Sequence, residues 1–201
     1  MKYRNVIFDV GSVLLDYRWE DMLRDYGLDK EDALRVGHEM FDDPEGLWQQ
    51  MDLGIRSIED IIAAYAQHYP KDAEVIRWFI EHGEYMHVPR PKVWKMVHQL
   101  KEKGYHIYLL SNYPEGLFHK HTQYADFMKD LDGKMVSYMI HEAKPSVAIY
   151  QALCERNHLT PSECIFFDDR KENVEAAIRF GMASKQVLSQ EGLLEDLQML
   201  L

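Results

Sequence analysis

The stretch "NVIFDVGSVLLDY" (residues 5–17) decides the fold. Four mostly apolar residues, Asn5 to Phe8, read as a short strand that runs straight into Asp9. The chain then passes Gly11 and Ser12 before turning apolar again. A carboxylate at the end of a buried strand must be paired, hold a metal or do chemistry, because burying it alone is costly.

Working outward, residues beyond Pro91 alternate strand and helix signals. "KVWKMVHQLKEKG" is a helix opened by Pro91 and closed by Gly104, and "YHIYLLSN" is a strand. "KMVSYMI" reads as a further strand, "SVAIYQALCERNH" as a helix and "CIFFDD" as a strand. "KENVEAAIRFG" is a helix ended by Gly181, and "SKQVL" a weak strand before a last helix. Such alternation implies right-handed crossovers and a mostly parallel sheet, which the strand before Asp9 must join. Between residues 17 and 88 only helical periodicity is visible, in "RWEDMLRDYG", "SIEDIIAAYAQHY" (N-capped by Ser57) and "DAEVIRWFIEHGEYM". The expectation is an α/β, Rossmann-like, doubly wound core made of residues 1–16 and 89–201, with a small helical insertion at 17–88.

The chain has 201 residues, 46% hydrophobic and 28% charged, enough for one core and a small insertion. A formal net charge of −11 argues against a nucleic-acid binder, which needs a basic face. Cys154 and Cys164 build neither a disulfide framework nor a metal-type pair, and Cys164 reads as a small core residue. No stretch is apolar enough for a signal peptide or membrane span. A soluble, cytoplasmic protein, monomeric or weakly dimeric and without membrane partners, is expected.

Ligands of open α/β sheets bind outside the carboxyl ends of the strands. Three strands here end in polar residues: Asp9, Ser111–Asn112 and Asp168–Asp169; a fourth polar element, Lys144 in "HEAKPS", precedes a helix. Singly, each is an ordinary turn or cap residue. Together on one sheet edge they suit phosphoryl transfer. Asp9 would attack phosphorus as a carboxylate nucleophile. Asp9, Asp169 and a backbone carbonyl are hard oxygen donors suited to Mg²⁺. The Ser111 hydroxyl, backbone amides near Asn112 and the Lys144 ammonium would hold and neutralise a small phosphorylated substrate.

In these residues the chain resembles the haloacid dehalogenase (HAD) superfamily of hydrolases, through "VIFDVGSVLLD", "LLSN", "AKPSVAIY" and "FFDDRKENVEAA" in that order. The insertion is similar to the small helical cap of subfamily I. The resemblance implies Asp9 as nucleophile, Ser111 and Lys144 as phosphate-binding residues, and Mg²⁺ on Asp9, Asp169 and the Gly11 carbonyl, with Asp168 holding a metal-bound water. It further implies a phosphatase of the branch that includes sugar-phosphate phosphatases.

One position departs from that pattern. Phosphatases of the superfamily usually carry a second aspartate two residues after the nucleophile as general acid/base, and here Gly11 stands there. Its carbonyl can still bind metal, but leaving-group protonation, typically worth about 10²–10⁴-fold, needs another source. Asp16 or a residue of the helical insertion is the candidate, although Asp16 also reads as a surface residue where the insertion begins, and Gly11 is a candidate for positive φ.

The alternatives are a 2-haloacid dehalogenase, which also lacks the second aspartate, and a non-catalytic phosphate-binding protein. The pair Asp168–Asp169 facing Asp9 favours Mg²⁺ and phosphate over the dehalogenase, since the carboxylates would repel without a cation. His119 and His121 read as surface histidines, and Trp48 and Met51 as core of the insertion. The loop "HEMFDDPEGLW" (38–48) reads as a rim whose acidic residues suit a hydroxyl-rich leaving group.

Overall fold

The computed structural model describes residues 2–201. From Asn5 the chain runs through β1 (Asn5–Phe8) and β2 (Leu15–Tyr17) into five helices. These are α1 (Trp19–Tyr26), α2 (Lys30–Phe41), α3 (Leu47–Leu53), α4 (Ile58–His68) and α5 (Ala73–Glu81). It returns through β3 (His87–Pro89) to α6 (Pro91–Glu102), β4 (His106–Ser111), α7 (Glu115–Thr122) and β5 (Gly133–Val136). The last elements are α8 (Val147–Asn157), β6 (Cys164–Asp168), α9 (Lys171–Phe180), β7 (Ala183–Gln186) and α10 (Gln190–Gln198).

Five strands form one parallel sheet in the order β5-β4-β1-β6-β7. Strand β1 lies at its centre, so Asp9 leaves the sheet between the ends of β4 and β6. Alternation along β1 sends Val6 and Phe8 to one face and Ile7 to the other. On the first face Val93, Val97 and Leu100 of α6 meet Leu193 and Leu197 of α10. On the second, Ile149, Tyr150 and Leu153 of α8 meet Ala176 and Ala177 of α9. Helices on both faces make the sheet doubly wound. Phe8 and Phe167 stack with ring centroids 5.6 Å apart and are fully buried, each contributing about 1.5–3 kcal/mol by burial.

The helices α1–α5 bury a separate apolar cluster around Met22, Leu23, Val36, Ile61, Tyr65 and Phe79. Ser57 caps α4 by accepting from the Asp60 amide, as its sequence context predicts. The two connections to the sheet run side by side as an antiparallel ribbon, Leu15 opposite Pro89 and Tyr17 opposite His87. These short strands carry no sequence period long enough to read.

The "KMVSYMI" segment keeps strand geometry only to Val136, then winds into a 3₁₀ turn at Ser137–Met139. Ser137 is the reason: its hydroxyl accepts from the Tyr113 amide at 2.9 Å and donates to the Asp52 carbonyl at the end of α3. Helices α2, α3 and α7 had no clear sequence signal. Both cysteines are buried and free. No helix among the described residues is long and apolar enough to cross a membrane.

Candidate active site

The ends of β1, β4 and β6 and the loop before α8 bring Asp9, Asn112, Asp169 and Lys144 to one cavity of about 630 Å³, also lined by Gly11, Asp52, Arg170 and Asn173. After Asp9 the backbone turns tightly, with the Leu14 and Leu15 amides both donating to the Val10 carbonyl. Helix α6 and its N-terminus pin this turn. Arg90 donates to the Ser12 carbonyl at 2.6 Å, and the Trp94 indole donates to the Leu14 carbonyl at 2.6 Å.

Asp9 is buried, and one of its oxygens is fully engaged. Oδ1 accepts from the Val10 amide at 2.7 Å, the Ser111 hydroxyl at 2.5 Å and the Lys144 ammonium at 3.0 Å. Oδ2 has no donor among the described residues. Burial pushes the Asp9 carboxyl up to about 7, against the pull of Lys144 and with added repulsion from Asp168.

Lys144 spends its three protons on the Leu110 carbonyl (2.8 Å), Asp168 (2.6 Å) and Asp9. Burial pulls its pKa down, but the charges of Asp9 and Asp168 outweigh this and hold it above the usual lysine value. Asn112 clamps the Lys144 loop from both sides: its amide donates to the Lys144 carbonyl at 2.9 Å and its oxygen accepts from the Lys144 amide at 2.8 Å.

Several expectations change here. Ser111 is buried at 1% exposure with its hydroxyl turned onto Asp9, so it holds that carboxylate instead of facing the cavity. Asp168 is fully buried, and its oxygens accept from Lys144, Asn173 and the Arg170 amide. Those bonds leave it no open face for a metal-bound water. Asp16 is tied to Arg90 at 2.9 Å and to the Tyr17 amide. Burial raises its pKa but these donors outweigh it, leaving an ionised carboxylate below the usual range, unsuited to give a proton. Gly11 has no positive φ; a Cβ there would meet the Tyr17 side chain instead. His121 is buried, while His119 is exposed. Met51 belongs to the core of the helical segment, and Trp48 packs against that core while also lining the cavity.

The His121 ring donates from Nε2 to the Gly83 carbonyl at 2.7 Å, leaving Nδ1 to accept from the Tyr113 hydroxyl at 2.6 Å. Burial pushes its pKa down to about 4, in keeping with a neutral ring.

Sequence reasoning missed Asp52, Tyr17, Arg170 and Asn173. Asp52 lies in the last turn of α3, and this turn is docked on the sheet domain. Ser137 donates to the Asp52 carbonyl, and His141 Nδ1 lies 2.8 Å from the Leu53 carbonyl. Burial, then the nearby Asp9 charge, push the Asp52 carboxyl up to about 8. A carboxylate at a helix C-terminus opposes the macrodipole, and that was the available signal in "QMDLG".

Oxygens of Asp9, Asp168 and Asp169 lie within 4.8 Å of one another. Burial and the Asp168 charge raise the Asp169 pKa, the mark of carboxylates crowded beyond what Lys144 neutralises. An all-oxygen donor set with excess negative charge fits a hard divalent cation such as Mg²⁺. Asp9 and Asp169 face the cavity and would hold it.

A family model for haloacid dehalogenase-like hydrolases matches residues 3–181. The chain belongs to that family. Among HAD-like hydrolases it is similar to phosphatase MT3486 of Mycobacterium tuberculosis, 26% identical across the whole of this chain and 96% of the relative. A second relative, the sesquiterpene phosphatase astK of Aspergillus oryzae, is 29% identical over 94 residues; that match spans about half of each chain. A HAD family enzyme of Bacteroides thetaiotaomicron, solved with magnesium and inorganic phosphate, shares the fold at 20% identity. Its TM-score is 0.72, over 94% of this chain and 96% of that one.

Proposed function

We propose that this HAD-like hydrolase is a Mg²⁺-dependent phosphatase acting on a small phosphorylated metabolite through an aspartyl-phosphate on Asp9, with residues 17–88 as its cap. The observation that carries this reading is the asymmetry of Asp9: three donors hold Oδ1 and none holds Oδ2. A carboxylate oriented by one oxygen presents the other as a nucleophile. When bound, Mg²⁺ would screen the carboxylates and draw charge from the phosphate oxygens. Asp9, Asp169 and the Gly11 carbonyl are its proposed ligands.

In the first half-reaction Asp9 Oδ2 bonds to phosphorus and the ester P–O bond breaks. The departing oxygen needs a proton, and Asp52 is a cavity carboxyl that burial and the Asp9 charge hold well above the usual range, as a proton donor requires. In the second half-reaction the ionised Asp52 takes a proton from the attacking water. Phosphate then leaves, Asp9 is restored and Asp52 is again protonated. Lys144 balances the charge on Asp9 and the transferred group, and Asp168 acts through Lys144 as a positioning residue. Arg170, at the cavity wall and paired there with Glu172, is the second cation near a bound phosphate.

The dehalogenase alternative is disfavoured by the same acidic cluster, which would confront a halocarboxylate with uncompensated charge. The sugar-phosphate expectation rests on the family resemblance, with the acidic 38–48 stretch as a further hint; α2 extends to Phe41 and α3 opens at Leu47, so only residues 42–46 of that stretch are loop. Asp43 of that loop is turned inward onto His68 and Tyr69, and Glu45 pairs with His68 at 3.4 Å. Asp42 alone of these lines the cavity.

The test is acid quenching during turnover of acetyl phosphate with Mg²⁺. A phosphoryl adduct on the peptide containing Asp9, absent in Asp9→Asn, is expected. Turnover by Asp9→Asn above a few per cent of wild type would overturn covalent catalysis at Asp9.

A further inference from the structure

Beside the phosphate chamber lies a second chamber of about 280 Å³, sharing Tyr17, Phe41, Trp48, Asp52 and Asn112 with it. Its remaining wall is apolar, made by Trp19, Met86, Leu117 and the ring of Tyr113. The aromatic side is a fixed edge-to-face array, with Trp19–Phe41 centroids at 5.5 Å and Phe41–Trp48 at 4.7 Å. The Trp19 ring lies directly over Gly37, where a Cβ would collide with it.

We propose that this chamber receives the leaving group, and that the substrate is the monophosphate ester of a hydrophobic alcohol, aromatic or branched aliphatic. The proposal rests on the phosphatase reading of the Asp9 site and names its substrate class.

Polar supply in the chamber decides the point. Of the groups that could serve a hydroxyl-rich body, Asn112 is committed at both ends to Lys144 and the Tyr113 hydroxyl to His121, which leaves Asp52, the Tyr17 hydroxyl and the indole N–H groups of Trp19 and Trp48. Asp52 stands at the junction of the chambers, where the ester oxygen would be. A sugar placed here would bury several hydroxyls against a wall with few acceptors besides Asp52, and hydroxyls left unpaired cost far more than apolar contacts return. Size agrees: an apolar cavity of about 150 Å³ holds a benzene, so this one admits a body of about two rings. The half-buried faces of Trp19, Phe41 and Trp48 would be covered by that body and by little else.

The experiment compares esters of primary alcohols, so that leaving-group acidity does not decide the outcome. With Mg²⁺, kcat/KM for benzyl phosphate is expected to exceed that for glucose 6-phosphate and glycerol 3-phosphate by about 10-fold or more. Trp48→Ala and, separately, Trp19→Ala should shrink that ratio severalfold. Binding of non-hydrolysable benzylphosphonate, read by tryptophan fluorescence, should be at least about 10-fold tighter than that of methylphosphonate. Equal or better use of the sugar phosphate, or equal binding of the two phosphonates, would overturn the substrate class while leaving the phosphatase reading intact. Failure to turn over acetyl phosphate or any monoester would overturn the phosphatase reading; the phosphonate comparison would then still judge the chamber.

Discussion

The hydroxyl of Tyr17 stands 2.5 Å from the point that a Cβ on Gly11 would occupy, with its ring carbons at 2.8 and 3.0 Å. Glycine is therefore present at position 11 because a tyrosine fills the room of a side chain. The backbone there imposes no left-handed conformation. The place where related phosphatases carry a second carboxylate is taken by an aromatic ring shared with the apolar chamber.

Adding the carboxylate alone should consequently fail. Gly11→Asp is expected to lower the melting temperature and to gain no activity, since the new side chain and Tyr17 cannot both fit. Gly11→Asp combined with Tyr17→Ala opens the space. With Asp52 also replaced by Asn in both proteins, so that no other donor remains, Gly11→Asp with Tyr17→Ala should hydrolyse glycerol 3-phosphate faster than Tyr17→Ala alone by about 10²-fold, the low end of acid catalysis. A gain by Gly11→Asp alone would show that Tyr17 moves freely.

Removing the metal gives a second outcome. Lys144 joins Asp9 and Asp168, but the three carboxylates, with oxygens within 4.8 Å of one another, carry more negative charge than one ammonium neutralises. EDTA should abolish phosphatase activity and Mg²⁺ restore it, while thermal stability at pH 7 rises on adding Mg²⁺. Asp169→Asn should weaken that stabilisation. Full activity in EDTA, or halide release from 2-chloropropionate, would favour the dehalogenase.

Much of this site was legible because strand ends follow from alternation and three of the four motifs sit on one, with Lys144 in the loop that opens α8. Asp9, Asn112, Lys144 and Asp169 converge on one cavity for that reason. Side-chain direction was less legible. Ser111 and Asp168 share their strands' ends but turn onto Asp9 and Lys144, a choice made by partners over 20 residues away. Asp52 and Trp48 were invisible as cavity residues because a three-dimensional docking, through Ser137 and His141, brings α3 over the sheet. His121 followed the same logic: its neighbours Tyr113 and Gly83 come from outside α7.

That histidine predicts an acid limit to stability. Its pKa is near 4 in the fold against an ordinary 6.5, so its stabilising contribution is present above about 6.5 and is lost as pH falls toward 4. Between pH 7 and 5 the loss is about 2 kcal/mol, or roughly 4–8 °C in melting temperature. His121→Gln should be less stable at pH 7 but flatter across this range. Equal pH slopes in thermal melts of the two proteins would remove His121 as the cause.

Asp52 carries the last prediction. Its carboxyl is raised to about 8, by burial first and the Asp9 charge second, so it holds a proton at pH 7 and loses it as pH rises through that value. As the proton donor it should give kcat an alkaline limb for slow, alkoxide-type leaving groups. A cation on Asp9 and Asp169 offsets the Asp9 charge, so the limb should move to lower pH with Mg²⁺ bound. Asp52→Asn should abolish the limb and cut turnover of benzyl phosphate by about 10²-fold or more, while p-nitrophenyl phosphate, whose leaving group needs little protonation, should suffer far less. Ser137→Ala separates this from docking. It removes the hydroxyl that holds the Asp52 carbonyl but leaves the carboxyl in place, so its losses should be similar for both substrates. If Asp52→Asn lost activity equally on both esters and kept the alkaline limb, Asp52 would be a docking residue and the proton would come from elsewhere.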